Sequence, residues 1–502
     1  MADKHIYELK SNIPENLGIP SEAVLEYIEH LERRKLALHS FMILRCGEIA
    51  AEGYYPPFRP ETLHRMYSTS KTFVALAIGL LIDEGKLKLN DKTADFFPEY
   101  RPENLHPFIA EATIRDLLLM ATPYDYTTYG IGDSNWVRTF LNREPSHKAG
   151  TLFIYDTSGT VALNGIVEKL SGRSLLDYMR PKLLDRLGFS KDAWCIERPE
   201  GGAWGGSGVL CSTHDLAKFA LFLLAKGKWN GEQLISEDYI NQATSALIDN
   251  RLTTNSPELQ FGYGYQIWHT RNNGFATVGM GSQMSVCVPE KDLVFLTTAD
   301  TQIIPGGNDI ILDAFWTDVY AHITKSPDEK LPENAAAYEK LQNKLNNLEF
   351  LPVDGKYTPA GSLKSFSGKK YNLGKNRMNI SNVQFIFDGE AGIMNYTNNT
   401  GNHEIKFGIC KYEDEIREFP ETHYFGKRIG VKKGSGYKYK ASGAWFDGDT
   451  FIIYLYIIDD YFGTLKINAH FSENGRCITL CMSKAAEWFL DEYDGIATGE
   501  SL

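Results

Sequence analysis

The hydrophobic pattern changes character about two-thirds of the way along the chain, and that change limits the fold more than any other feature. Up to about residue 325, helical and strand-like segments alternate irregularly. Ser326-Pro327 and Pro332 then mark a boundary, and Ala337, Leu341, Leu345 and Leu348 form one apolar stripe of an exposed linker helix. Beyond Pro352 the chain reads as β alone. Leu465, Ile467, Ala469 and Phe471 alternate with Lys466, Asn468 and His470, as in a strand with one face buried. Asn474-Gly475 predicts a hairpin turn before a returning strand from Cys477 to Met482, and Asp447-Gly448-Asp449 precedes a strand over Phe451 to Ile458. A chain of 502 residues has room for about two to four domains. The pattern selects two: an α/β (α+β) unit over residues 1–325 and a smaller antiparallel β domain over residues 355–502, joined by a helical linker at 326–354.

The net charge of −12 disfavours nucleic acid and anionic membrane surfaces as partners. The longest apolar run, Phe73 to Ile82, is half the length a bilayer span needs, and the opening MADKHIYELK has no apolar signal core. A cytoplasmic protein is expected, with its seven scattered cysteines reduced. No two of the twelve histidines lie within eight residues, and no close Cys pair forms a metal knuckle, so no metal is expected. The basic stretch Lys427 to Lys440 reads as a solvated hairpin rather than a binding patch.

Early in the chain, Ser21 reads as a helix cap ahead of Val24, Leu25, Ile28 and Leu31, and Phe41–Leu44 and Ile49–Tyr54 read as a hairpin about Cys46-Gly47-Glu48. The chemistry comes next. A serine hydroxyl is not ionised near neutral pH and needs a base to attack a carbonyl. A lysine three residues on along a helix shares its face. The S-x-x-K spacing occurs at Ser68/Lys71, Ser367/Lys370 and Ser435/Lys438. The last two sit among Gly and Lys in turn-like stretches of the β domain. Ser68 alone opens a helix, with Phe73, Leu76, Ala77, Leu80 and Leu81 on one stripe and Gly85 ending it. Backbone N–H groups at a helix start favour a developing oxyanion. G-x-S-x-G, the elbow of α/β-hydrolases, is absent from the sequence.

Met66-Tyr67-Ser68-Thr69-Ser70-Lys71 and the following IGLLIDEGKLKLNDKTADFFPEY resemble the serine β-lactamase and penicillin-binding-protein superfamily. The likeness is greatest to the class C β-lactamase-related serine hydrolases, a group with esterases, D-aminopeptidases and 6-aminohexanoate-dimer hydrolases. It runs collinearly through TIRDLLLMAT, FIYDTSGTVALNG, GGAWGGSGVLCSTHDL and FGYGYQIWH to CVPEKDLVFLTT, covering residues 20–325. The resemblance implies a β-lactamase/transpeptidase-like fold, an antiparallel sheet flanked by helices, with Ser68 as the nucleophile and Lys71 and Tyr155 as its general-base pair. Thr157 stands where the family's second motif, Y-x-N or Y-x-S, has Asn or Ser.

The third motif, K-T-G or H-x-G, corresponds to residues 277–283, which contain neither Lys nor His. There the resemblance implies oxyanion or substrate-binding roles for Gly279, Gly281, Ser282 and Gln283, without a cationic anchor for a β-lactam carboxylate. Tyr124, Tyr126, Trp204, Tyr263, Tyr265 and Trp268 fall in segments that line the cleft in this family. The expected activity is hydrolysis of a small ester or amide, or of a D-amino-acid-containing substrate, through a Ser68 acyl-enzyme and without metal or organic cofactor. The alternatives are a true β-lactamase or D-Ala-D-Ala carboxypeptidase, and an inactive ligand- or partner-binding homologue. Oligomeric state and the role of the β domain are not readable from sequence.

Overall fold

A computed structural model describes residues 9–355, 366–413, 415–420 and 437–501. Ser435 and most of the basic stretch from Lys427 lie outside the described residues. The chain forms two compact units, one running to Thr301 and from Gly306 to Phe350, the other comprising Gln302–Pro305 and Leu351 onwards.

The first unit is built on a six-stranded antiparallel sheet in the order β2-β1-β11-β10-β9-β8. These strands are β1 (Leu38–Arg45), β2 (Glu48–Tyr54), β8 (Trp268–Thr270), β9 (Gly274–Gly279), β10 (Gln283–Val288) and β11 (Leu293–Ala299). A small sheet joins β3 (His64–Arg65), β5 (Val209–Cys211) and β4 (Trp194–Cys195), and a short hairpin pairs β6 (Lys228–Trp229) with β7 (Glu232–Gln233). Every residue of β1 is buried because helices cover both faces of the large sheet. On one face Tyr27 of the helix Ser21–Arg33 packs edge-on against Phe41 and Phe295. On the other, Ser40 hydrogen-bonds Thr213, which opens the helix Thr213–Leu224. Neighbouring positions in β1 thus serve opposite layers, as strand geometry requires.

Three details differ from the sequence reading. Ser21 is the first helical residue, and its hydroxyl bonds Glu15 Oε2 at 3.0 Å rather than capping the helix. Ser68 lies in a 3₁₀ turn, Tyr67–Thr69, and the α-helix proper is Ser70–Asp83. Ser70 to Leu81 are buried without interruption, so this helix runs through the core instead of presenting one stripe to it. The helix expected to be an exposed linker, Ala335–Asn346, belongs to the first unit. It buries Ala337 and Leu341, and its polar neighbours reach the first helix, Asn334 Nδ2 to Glu22 Oε1 at 2.7 Å and Lys344 Nζ to Glu32 Oε2 at 2.6 Å.

The second unit is a ten-stranded sheet running from β12 (Lys370–Leu373) to β21 (Gly495–Ser501), antiparallel except where β15 (Gly401–Ile409) meets β17 (Lys438–Trp445) in parallel. That last pairing closes the sheet into a barrel. Alternate residues of β19 (Phe462–Ser472) from Leu465 to Phe471 point inward, as the alternation predicts, and Asn474-Gly475 turns into β20 (Cys477–Ala486) with both residues at positive φ. The interior is filled by rings, including Phe366, Phe385, Trp445, Phe451 and Phe471, in stacked, tilted and edge contacts 4.8–5.9 Å apart. Ser367 sits in a turn and Lys370 opens β12, so no helix aligns that pair.

Candidate active site

Backbone geometry presents Ser68. Tyr67 has φ of 45°, a left-handed value that a bulky residue adopts only when its surroundings enforce it. Three bonds do so. The Met66 N–H donates to Val209 O at 2.8 Å, and Ser70 Oγ accepts from Val209 N at 3.0 Å, pinning the turn to β5. Thr69 Oγ1 donates to Gln283 O at 2.8 Å, pinning it to β10. Gly279, the last residue of β9, lies so close that a Cβ there would stand 2.2 Å from the Met66 carbonyl. A glycine is required at that contact.

Lys71 is buried, with 1 % of its surface exposed, and its Nζ donates to Ser68 Oγ at 2.9 Å and to Gly206 O at 2.7 Å. Ser68 itself is half-buried. Tyr155 hydrogen-bonds the same serine hydroxyl, and Lys71 Nζ lies 5.2 Å from the centre of its ring. Burial pushes the Tyr155 phenol well above its ordinary value, only partly offset by the bond to Ser68, so it holds its proton at neutral pH. Tyr155 is fixed from behind by a stacked Trp268 (5.3 Å between centroids) and an edge-on Tyr263.

Asp156 follows Tyr155 and caps the helix Thr157–Ser171, accepting from Ser158 N at 2.8 Å, the Ser158 hydroxyl, Gly159 N and Thr122 Oγ1. Burial raises its carboxyl against the pull of those bonds. Thr157 is the first residue of that helix. Its methyl meets Gly206, where an added Cβ would come within 2.5 Å.

The turn Trp204-Gly205-Gly206-Ser207-Gly208 forms the floor beneath Lys71. Added Cβ atoms at Gly205 and Gly208 would strike Val74 and the Trp204 carbonyl at 2.4 and 2.9 Å. In sequence this stretch carries part of the family resemblance, yet only Trp204 in it receives a role there. Its signal is the density of glycines where backbone must approach side chains closely. Arg65, also missed, is wholly buried between Tyr67 and Trp204, with its Cζ 4.2 and 4.8 Å from their ring centroids.

The third-motif segment is the end of β9 and the β9–β10 turn. Thr277, at the position of the absent cation, is buried and bonds Ser285 Oγ at 2.8 Å, with Thr69 Oγ1 3.5 Å away. Ser282 is occupied within the fold: its N–H donates to Gly279 O, and its hydroxyl bonds Thr301 and Asn308 at 2.7 Å each. The Gln283 side chain bridges Met280 O, Ala299 O and Ala299 N. Both residues were expected at the oxyanion or substrate, yet their side chains stitch the turn together.

The six aromatics divide. Trp268 and Tyr263 support Tyr155. Tyr124, Trp204 and Tyr265 are core residues, bonded to Phe140 O, Tyr129 Oη and Gln242 Oε1 respectively, so they do not line an open cleft. Tyr126 is 43 % exposed and its hydroxyl donates to Glu144 O. Among the described residues, no group of three or more His, Cys, Asp or Glu side chains is placed to hold a metal ion.

Residues 28–303 match the family described as Beta-lactamase. The chain belongs to the Beta-lactamase family. A 6-aminohexanoate-dimer hydrolase of Paenarthrobacter ureafaciens is 25% identical over 287 residues, which is 52% of this chain and 72% of its own. A solved structure of a candidate 6-aminohexanoate-dimer hydrolase from Bacillus anthracis superposes with a TM-score of 0.51 at 17% identity, covering 62% of this chain and 88% of its own. The octameric penicillin-binding protein homologue of Pyrococcus abyssi gives 0.48 at 19% identity, over 95% of this chain and 99% of its own. The family has the β-lactamase/transpeptidase-like fold, and two of these relatives are named as hydrolases. Among the described residues no helix is long and apolar enough to cross a membrane.

Proposed function

We propose that this protein is a serine hydrolase that cleaves a small ester or amide through an acyl-enzyme on Ser68. The observation that carries the reading is the convergence of Lys71 Nζ and the Tyr155 hydroxyl on the hydroxyl of one half-buried serine. Because Tyr155 keeps its proton, neutral Lys71 takes the proton of Ser68 as Oγ bonds to the carbonyl carbon. The Ser68 N–H and a backbone N–H of the 280–281 turn hold the oxyanion. As the bond to the leaving group breaks, a proton passes to that group through Lys71 and Tyr155. Water then attacks the acyl carbon, loses a proton to the same pair, and frees Ser68.

Thr277 in place of a cation favours neutral acyl compounds over carboxylate-bearing β-lactams. The test is turnover of a p-nitrophenyl ester and of nitrocefin by wild type and Ser68→Ala. Ester turnover in the wild type alone is expected. Absence of turnover in wild type, or its survival in Ser68→Ala, contradicts the reading. Nitrocefin turnover equal to the ester rate would move the assignment to a β-lactamase.

A further inference from the structure

Arg65 lies three residues ahead of Ser68, and none of its surface is exposed. Its Nε donates to Ser207 O at 2.9 Å and its Nη2 to Ser207 Oγ at 2.9 Å. A guanidinium used in this forked way fixes orientation as well as distance, which a lysine cannot do. Ser207 directly follows Gly206, whose carbonyl accepts from Lys71 Nζ. One short turn therefore offers consecutive residues to two buried basic side chains. On its other side the Arg65 plane lies against Tyr67, whose left-handed backbone presents the nucleophile.

We propose that Arg65 is a positioning residue: by gripping Ser207 and stacking between Tyr67 and Trp204, it fixes both the Gly206 carbonyl that holds Lys71 and the backbone that offers Ser68. This rests on the reading of Ser68 and Lys71 as the reacting pair. Arg65 acts through them and meets no substrate.

The arrangement has an electrostatic consequence. Arg65 and Lys71 bond to consecutive residues of one turn, Ser207 and Gly206, so removing the Arg65 charge changes the field at the reacting pair. Few of the groups around it add a competing titration. His64, on the same strand, is held down at about 3 by burial, and Cys195 on the small sheet and Tyr155 are held up by burial. Asp156 is raised by burial and bonded at the helix cap; Glu168 and Glu200 are paired with Arg198 at 2.8 and 3.0 Å.

The test uses the full-length protein with Arg65→Met, Arg65→Lys and Ser207→Ala, and Ser68→Ala as the inactive control. Competent sites are counted by fluorophosphonate titration, so unfolded protein does not enter the rates. The measurement is kcat and KM for a p-nitrophenyl ester against pH. Arg65→Met should lower kcat about 10²-fold with little change in KM, because the base and nucleophile are misplaced rather than the substrate. Its acid limb of kcat/KM should move up by about one pH unit. Arg65→Lys keeps the charge and loses the fork, so its limb stays with the wild type while kcat falls about tenfold. Ser207→Ala removes one of two acceptors and should cost about threefold in kcat with the limb unmoved.

An unmoved limb and unchanged kcat in Arg65→Met overturns the proposal. So does an equal limb shift in the Met and Lys variants. If Arg65→Met does not fold, wild-type kcat in both Arg65→Lys and Ser207→Ala overturns it. Turnover that is absent in wild type, or persists in Ser68→Ala, defeats the serine-hydrolase reading and this inference together. Normal behaviour of those two with unaffected Arg65 variants defeats this inference alone.

Discussion

The nucleophile turn at residues 66–71 and the β9–β10 turn at residues 279–283 touch each other, and both carry backbone at positive φ. Tyr67 is at 45°, Gly281 at 77° and Ser282 at 75°. They use their polar groups in opposite ways. In the first, the polar ends of Lys71 and Tyr155 meet at the hydroxyl of the half-buried Ser68. In the second, Ser282 and Gln283 turn inward, and Thr277 in the strand leading to it bonds Ser285. A strained turn is therefore not in itself a sign of chemistry. What separates the two is whether the side chains are committed within the fold or left converging on one hydroxyl. The contribution of the second turn is its backbone, held against Met66 at Gly279.

Removing the reacting atom should have the largest effect. Ser68→Ala should lower ester kcat by at least about 10⁴-fold with the melting temperature retained, read by initial rates and thermal unfolding. Tyr155→Phe keeps the stack on Trp268 and removes one proton carrier, so a loss of about 10²–10³-fold is expected. Gly279→Val asks whether the second turn acts through its backbone. The 2.2 Å collision with the Met66 carbonyl should displace Ser68 and cost about 10²-fold in kcat. Gly132, where an added Cβ would meet nothing within 4 Å, is the control, and Gly132→Ala should leave kcat unchanged.

A smaller effect concerns the strand that feeds the first turn. His39 Nδ1 and His64 Nε2 are 2.6 Å apart and buried, and burial lowers both, His64 to about 3 from 6.5. Below about pH 6.5 the unfolded chain binds protons that the folded chain refuses, so this stability is present above that pH and is lost as pH falls towards 3. Between pH 6.5 and about 5 the loss should approach about 2 kcal/mol per histidine, measured by denaturant unfolding, and His39→Phe should flatten the profile. The smallest change is expected for Thr277→Val, about 1 kcal/mol in stability, with ester kcat within about threefold of wild type. A large loss of activity there would break the contrast between the two turns.

Much of this was legible in sequence, and the exceptions have physical causes. Ser68 and Lys71 stood out because a three-residue spacing precedes an unbroken apolar helix. The helix start was misplaced because a left-handed Tyr67 puts the serine in a 3₁₀ turn, and nothing in the residue type of a tyrosine announces positive φ. The alternation in β19 was readable locally. Barrel closure depends on Gly408 and Ile409 pairing with Ser442 and Gly443, and no short-range pattern encodes so remote a contact. Residue type also could not separate Trp268, which braces Tyr155, from Tyr124 and Tyr265, which are core. Likewise the stripe of Ala337 and Leu341 announced a helix with an apolar face but not that the first helix covers it. Arg65 and Gly206 became visible only once the fold brought two distant segments under Lys71.

The central claim, that Ser68 is the nucleophile, is tested most directly by peptide mapping after reaction with a fluorophosphonate. The account predicts one phosphonate adduct, on the peptide containing Ser68, formed by the wild type and absent from Ser68→Ala. No adduct in the wild type, or an adduct on a different residue that survives in Ser68→Ala, would contradict it.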